Sequence, residues 1–256
     1  MKRHLVLLFI ALAIVSCNHQ TDQKKKPEIR SVGNPPKVLF ILTSHSEMGN
    51  TGEQTGFYLS EAAHPWKVLT SHGIKVEFST IKGGMPPVDG FDLDDPVNSE
   101  FWENPSVQEA LRNAKKPSEF EASSYDAIHF VGGHGTMWDF PENRYIARLA
   151  GKVYDQGGYV TAVCHGPAGL LNIRLDDGSY LLEGKRVTSF TNGEEETVGL
   201  TEVVPFLLED ALKERGAEFV AADNWSDHVQ VSERLITGQN PQSATTLGET
   251  LVKLMK

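Results

Sequence analysis

The feature that most constrains the fold of this chain is an alternation of short, continuously apolar β-type runs with longer helical patterns, sustained from residue 37 to the last residue, 256. The runs are Lys37 to Thr43, Lys75 to Ile81, Ala127 to Val131, Tyr159 to Val163, Arg186 to Phe190 and Leu235 to Gly238. Runs that are apolar throughout, rather than at every second position, predict strands buried on both faces. Between them, Glu53 to His72, Ser106 to Lys115, Arg144 to Gln156, Glu196 to Arg215 and Ser243 to Lys256 read as helices. Such alternation predicts an α/β sandwich, a mostly parallel sheet with helices on both faces. Ligands bind such sheets at the carboxyl ends of the strands, so residues just beyond each run are the ones to search for chemistry.

The start of the chain is of another kind. Met1-Lys2-Arg3-His4 is a short basic region, followed by an apolar run from Leu5 to Val15 and then Ser16-Cys17. The run is too short to span a bilayer. Ile14-Val15-Ser16-Cys17 resembles a bacterial lipobox, in which the cysteine is acylated and becomes the new N-terminus. Residues 1–16 are therefore expected to be a lipoprotein signal peptide, and Cys17 the lipidation site. Asn18 to Pro36 is polar, carries Lys24-Lys25-Lys26, ends in Asn34-Pro35-Pro36, and reads as a flexible spacer. The expected organisation is 1–16 signal, 17–36 lipidated cysteine and spacer, and 37–256 catalytic domain. It implies a lipid-anchored protein of the bacterial cell envelope, on the periplasmic or outer-membrane side.

With 256 residues, 39% of them hydrophobic, the chain suits one domain of ordinary core size. Its formal charge is -10, and loss of Lys2 and Arg3 with the signal would take it to -12. That field repels phosphate backbones, so no nucleic-acid partner is expected. The two cysteines are Cys17 and Cys164, which leaves no disulfide framework in the domain. The stretch from Gly83 to Pro105, rich in Pro, Asp and Gly, reads as a surface insertion or lid, and its carboxylates match no calcium loop.

Tyr159 to Leu171 reads as a strand running into Cys164, His165 and Gly166 and then a helix, the pattern of a nucleophile elbow with Pro167 in the first helical turn. Glycine usually stands two residues before an elbow nucleophile; here Ala162 does. A thiol presented to a helix N-terminus is expected to be accessible and of lowered pKa. His165 is a proton acceptor or donor if a carboxylate holds it, and Thr188 to Glu196 offers three glutamates. Glu195 is the expected orienter and Glu194 the reserve. Phe130 to Thr136 closes another strand with glycines that aim N–H groups at an oxyanion. His45, His64, His129 and His228 are left without a role, and no metal site is expected. His64 lacks a helical ligand partner at Lys67 or Val68.

Five motifs together resemble the ThiJ/PfpI superfamily: Gly56 to Pro65, Gly132 to Thr136, Ala162 to Ala168, Phe190 to Glu195 and Thr237 to Ser243. They stand in that family's order and span nearly everything after the spacer. The nearest branch holds glutathione-independent glyoxalases, also called glyoxalase III, and heat-shock-type chaperones. The resemblance implies a flavodoxin-like sandwich with Cys164, His165 and Glu195 as triad, Glu61 beside the thiol, and an oxyanion site from the N–H groups of Gly133 and His165. It implies conversion of 2-oxoaldehydes such as methylglyoxal to 2-hydroxy acids without external cofactor, with deglycase activity using the same nucleophile and homodimerisation left open. Two other readings remain: an amidase, peptidase or glutamine amidotransferase, and a holdase chaperone of the envelope. Against amide transfer, that pattern takes its histidine from a separate, later segment.

Overall fold

The computed structural model describes residues 34–256. The expected signal segment, Cys17 and all but the end of the spacer lie outside the described residues. In chain order the elements are β1 (Lys37–Leu42), β2 (Phe57–Tyr58), α1 (Leu59–Ser71), β3 (Lys75–Thr80), β4 (Val88–Asp89), α2 (Pro96–Glu103), α3 (Pro105–Arg112), β5 (Ala127–Phe130), α4 (Thr136–Asp139) and α5 (Arg144–Asp155). After α5 come β6 (Tyr159–Val163), β7 (Arg186–Val187), α6 (Asn192–Thr197), α7 (Leu208–Glu214), β8 (Glu218–Phe219), β9 (Val229–Ser232), β10 (Leu235–Gly238) and α8 (Ala244–Met255). Among the described residues no helix is long and apolar enough to cross a membrane.

The main sheet has the order β3-β1-β5-β6-β10-β9, parallel throughout except that the edge strand β9 runs antiparallel to β10. Its strands feed both faces by simple alternation. Val38, Phe40 and Leu42 pack with Leu59, Ala62, Leu247 and Leu251 of α1 and α8. Leu39 and Ile41 pack on the other face with Ile146, Leu149, Ala150 and Val153 of α5. That spacing places one apolar stripe along α5, whose start is capped by Asn143 accepting from the N–H groups of Tyr145 and Ile146. Each fully buried Phe, Leu or Ile contributes about 1.5–3 kcal/mol by leaving water. The framework carrying the site is therefore rigid.

Several elements depart from the sequence expectation. Arg186 to Phe190 is a strand only at Arg186–Val187, paired with β8 in a separate two-stranded sheet. Beyond it the Thr188 N–H turns to the Thr237 hydroxyl and the Phe190 N–H to the Cys164 carbonyl. The helix expected from Glu196 to Arg215 is two short helices, α6 and α7, because Gly199 takes a φ of 74° and Pro205 comes soon after. The helix expected from Glu53 starts only at Leu59. The Gly83 to Pro105 segment is ordered: β4 pairs with β2, matching Asp89 to Tyr58, and Asp95 caps α2.

Candidate active site

Cys164 comes directly after β6 and sits at the carboxyl ends of the central strands. Its φ is 57°, left-handed backbone that costs a non-glycine residue about 1–2 kcal/mol. The turn is held on both sides: the Cys164 N–H donates to the Gly238 carbonyl, and the Cys164 carbonyl accepts from the Phe190 N–H. Gly166 lets the chain leave this corner, since a Cβ there would lie 2.3 Å from the Phe130 carbonyl oxygen. From there Gly166–Leu170 forms a 3-10 turn rather than an α-helix.

His165 Nδ1 lies 3.3 Å from Cys164 Sγ, and its Nε2 lies 2.8 Å from Glu195 Oε2. A carboxylate only accepts, so Nε2 carries the hydrogen and Nδ1 turns its lone pair to the thiol. Burial would raise the Glu195 carboxyl, but hydrogen bonds from His134 and His165 hold it down to about 2. Burial, and then the neighbouring His134 ring, lower His165 to about 4. At neutral pH the pair is a neutral imidazole on a charged carboxylate. Glu194 has a different task. Its Oε2 closes a capping box with Thr191, and its Oε1 accepts from the Trp225 N–H, the Gln239 amide and the Asn240 amide.

Glu61, in the first turn of α1, is fully buried, and its carboxyl faces the Cys164 thiol and the Gly132 backbone without a well-formed hydrogen bond to any other side chain among the described residues. Its Oε2 occupies the space a side chain at Gly132 would need, 2.3 Å from the Cβ position there, and the same Cβ would stand 3.0 Å from Cys164 Cβ. Burial pushes the Glu61 carboxyl well above the usual carboxylate range. Burial, then the adjoining Glu61, push the Cys164 thiol up as well, opposed by the Gly133 N–H facing the sulfur. The expectation of an accessible, acidified thiol is thereby corrected. Cys164 is 3% exposed, the turn behind it is too short to present a helix N-terminus, and a carboxyl stands beside it. Burial thus favours the protonated form of both the Cys164 thiol and the Glu61 carboxyl. Among the described residues, the N–H groups of Gly133 and His165 make no main-chain hydrogen bond outside the helices and strands, and the Gly133 N–H faces the Cys164 sulfur.

The structure also assembles residues the sequence left aside. His134 Nε2 lies 3.0 Å from Glu195 Oε1, and its ring centroid is 4.0 Å from that of His165. The available signal was its place between Gly133 and Gly135 at a strand's carboxyl end. Tyr58, half-buried, stands next to Gly90 of the ordered insertion; burial above all raises its phenol. Trp225 has a φ of 64° and packs on Phe190, which packs on His165. No local pattern flags a tryptophan whose partner is 35 residues earlier. Of the unassigned histidines, His129 bonds the Thr161 hydroxyl, His64 joins Thr245 to Asp95, His45 stacks on Trp138, and His228 reaches the Val220 carbonyl. His134, His165 and Glu195 bring three donor atoms within 4.8 Å of one another, but both Nε2 atoms are engaged with the carboxylate, so the set is a hydrogen-bonded chain.

Comparison with known proteins agrees with this architecture. A model of the DJ-1/PfpI family matches residues 54–254. Glyoxalase 3 of Candida albicans is 32% identical over 228 residues, covering 84% of this chain and 97% of that protein. The glutathione-independent glyoxalase HSP31 of Saccharomyces cerevisiae is 33% identical over 228 residues, covering 82% and 94%. Among solved structures, Rapid Encystment Protein 24 kDa of Francisella tularensis superposes with a TM-score of 0.83 at 39% identity, covering 86% of this chain and 99% of that one.

Proposed function

The chain belongs to the DJ-1/PfpI family, and on that premise we propose that it is a cysteine-dependent, glutathione-independent glyoxalase, converting 2-oxoaldehydes such as methylglyoxal to 2-hydroxy acids. The observation that carries this reading is the fully buried carboxyl of Glu61, directed at a thiol already served by His165 and Glu195. Acyl transfer needs the triad alone, whereas moving hydrogen between adjacent carbons needs an acid as well as a base. This favours isomerisation over amide hydrolysis.

His165 takes the thiol proton as sulfur adds to the aldehyde carbon, and returns it to the new alkoxide, which the N–H groups of Gly133 and His165 stabilise. In the hemithioacetal, His165 takes the hydrogen from the sulfur-bearing carbon while Glu61 gives its proton to the neighbouring ketone oxygen, forming an enediol. His165 then protonates the second carbon and Glu61 takes the proton from the first hydroxyl. A thioester of the 2-hydroxy acid results, with Glu61 and His165 back in their resting forms. Hydrolysis frees the acid. Oxidation at one carbon balances reduction at the next, so no external oxidant or reductant enters. Incubation of the protein with methylglyoxal and no glutathione is expected to yield lactate, and reversible adducts without lactate would sink the reading.

The lowered imidazole sets the pH dependence. A base brought down to about 4 stays neutral, and able to accept, down to that pH. The acid limb of kcat/KM is therefore expected near pH 4, and a limb near 6.5, the ordinary imidazole value, would contradict the assignment of His165 as base.

We further propose that the domain is tethered to the cell envelope through a lipid on Cys17, a reading supported by the basic start, the apolar run and Ile14-Val15-Ser16-Cys17. Metabolic labelling with a fatty-acid analogue is expected to mark the protein but not Cys17→Ala. Equal labelling of both would overturn it.

A further inference from the structure

Glu195 orients two histidines, one through each oxygen, and only His165 has a place in the steps above. His134 donates Nε2–H to Glu195 Oε1 at 3.0 Å, as His165 donates to Oε2 at 2.8 Å. The carboxylate thus sets the same tautomer in both rings. His165 Nδ1 faces the sulfur, whereas His134 Nδ1 has no hydrogen-bond partner among the described residues. The two also differ in access: the His134 side chain is 14% exposed, that of His165 0%. His134 is the member of the chain that water can reach. It stands, moreover, next to Gly133, whose N–H faces the sulfur and hence the carbonyl of any acyl group held there.

We propose that His134 is the general base of the hydrolytic half of the reaction, taking a proton from the water that attacks the Cys164 thioester. This rests on the glyoxalase reading only in so far as that chemistry leaves a thioester on Cys164. The water O–H bond breaks and its proton goes to His134 Nδ1 as the oxygen bonds the thioester carbon. The C–S bond then breaks with its electron pair leaving on sulfur. The Glu61 carboxyl gives its proton to that sulfur and is reprotonated by the carboxylic acid just formed. His134 releases its proton to solvent. The division of labour has a physical reason: the His165 side chain is fully buried and that of His134 is partly exposed, so a water arriving from solvent meets His134 first.

The test uses p-nitrophenyl acetate on the full chain, which loads acetyl onto Cys164 without any isomerisation. Nitrophenolate release measures acylation, and intact-protein mass spectrometry tracks decay of the acetyl adduct. His134→Gln and His134→Phe, the second keeping a ring against His165, are expected still to acylate and to lose the acetyl group roughly a hundredfold more slowly, a loss in deacylation well beyond any change in acylation. Hydroxylamine, which attacks thioesters without a base, is expected to restore loss to the wild-type rate. Equal acetyl decay in all three proteins overturns the proposal. So does failure of acylation in both variants, which would make His134 a residue of the fold, and so does a wild-type Cys164 that takes no acetyl. Wild type that sheds acetyl through His134 yet makes no lactate would instead remove the glyoxalase reading and leave this one standing.

Discussion

Replacement of Cys164 by serine is expected to lower kcat/KM for methylglyoxal by roughly a thousandfold or more, about 4 kcal/mol of transition-state stabilisation. Serine fits the same corner, so the left-handed turn, the Gly238 bond and the Phe190 bond survive. What changes is the proton. A hydroxyl is far harder to ionise than a thiol, and the base beside it, lowered to about 4, is a weak one. His165 can take the proton from sulfur because a thiol is intrinsically far more acidic than an alcohol and the proton leaves only as sulfur bonds the aldehyde carbon. Steady-state kinetics with circular dichroism as a fold control checks this, and residual activity within tenfold of wild type would remove Cys164 from the chemistry.

Glu61→Gln is expected to stop lactate formation by a factor of roughly 10²–10⁴, the usual worth of a positioned acid or base, while leaving adduct formation at Cys164 intact. Glutamine fills the same volume next to Gly132 but has no proton to give the ketone oxygen. Burial favours the uncharged form of the Glu61 carboxyl, so the exchange for a neutral amide leaves the charge beside the thiol unchanged, and Cys164 is expected to add aldehyde at about the wild-type rate. The signature is therefore a split: the protein gains one substrate mass, reversibly, and makes no product. A variant that still turns over at a tenth of the wild-type rate or better would show that His165 alone moves both protons.

How much of the fold and the site is legible in the sequence depends on how local the signal is. Cys164, His165 and the turn around Gly132 lie where a strand ends, and a strand's apolar run can be read without knowing its neighbours. Glu61 can be placed only through the family resemblance, because the sequence shows it as one more acidic residue on a helix. Its burial comes from the packing of α1 on the sheet. Choosing between Glu194 and Glu195 is a matter of which way each faces in the short helix α6. The former points to Asn240 and Trp225, distant in sequence, and the latter to the two imidazoles. The helix expected from Glu196 to Arg215 and the insertion that folds β4 onto β2 escape the sequence for a related reason, since breaks at Gly199 and Pro205 and two-residue strands carry almost no periodicity.

Gly132 carries one more consequence, for how such a site can change over generations. Its missing side chain is less a freedom of the backbone than a seat kept for the carboxyl of another residue, 71 positions earlier. A lineage that acquires alanine at 132 first evicts Glu61 while Cys164, His165 and Glu195 stay in place. One that loses Glu61 first leaves an empty pocket that any later residue at 132 is free to fill, closing the way back. The two positions form a single heritable unit, and the order in which they are lost decides whether the proton-moving chemistry can be regained by one reversion or needs two.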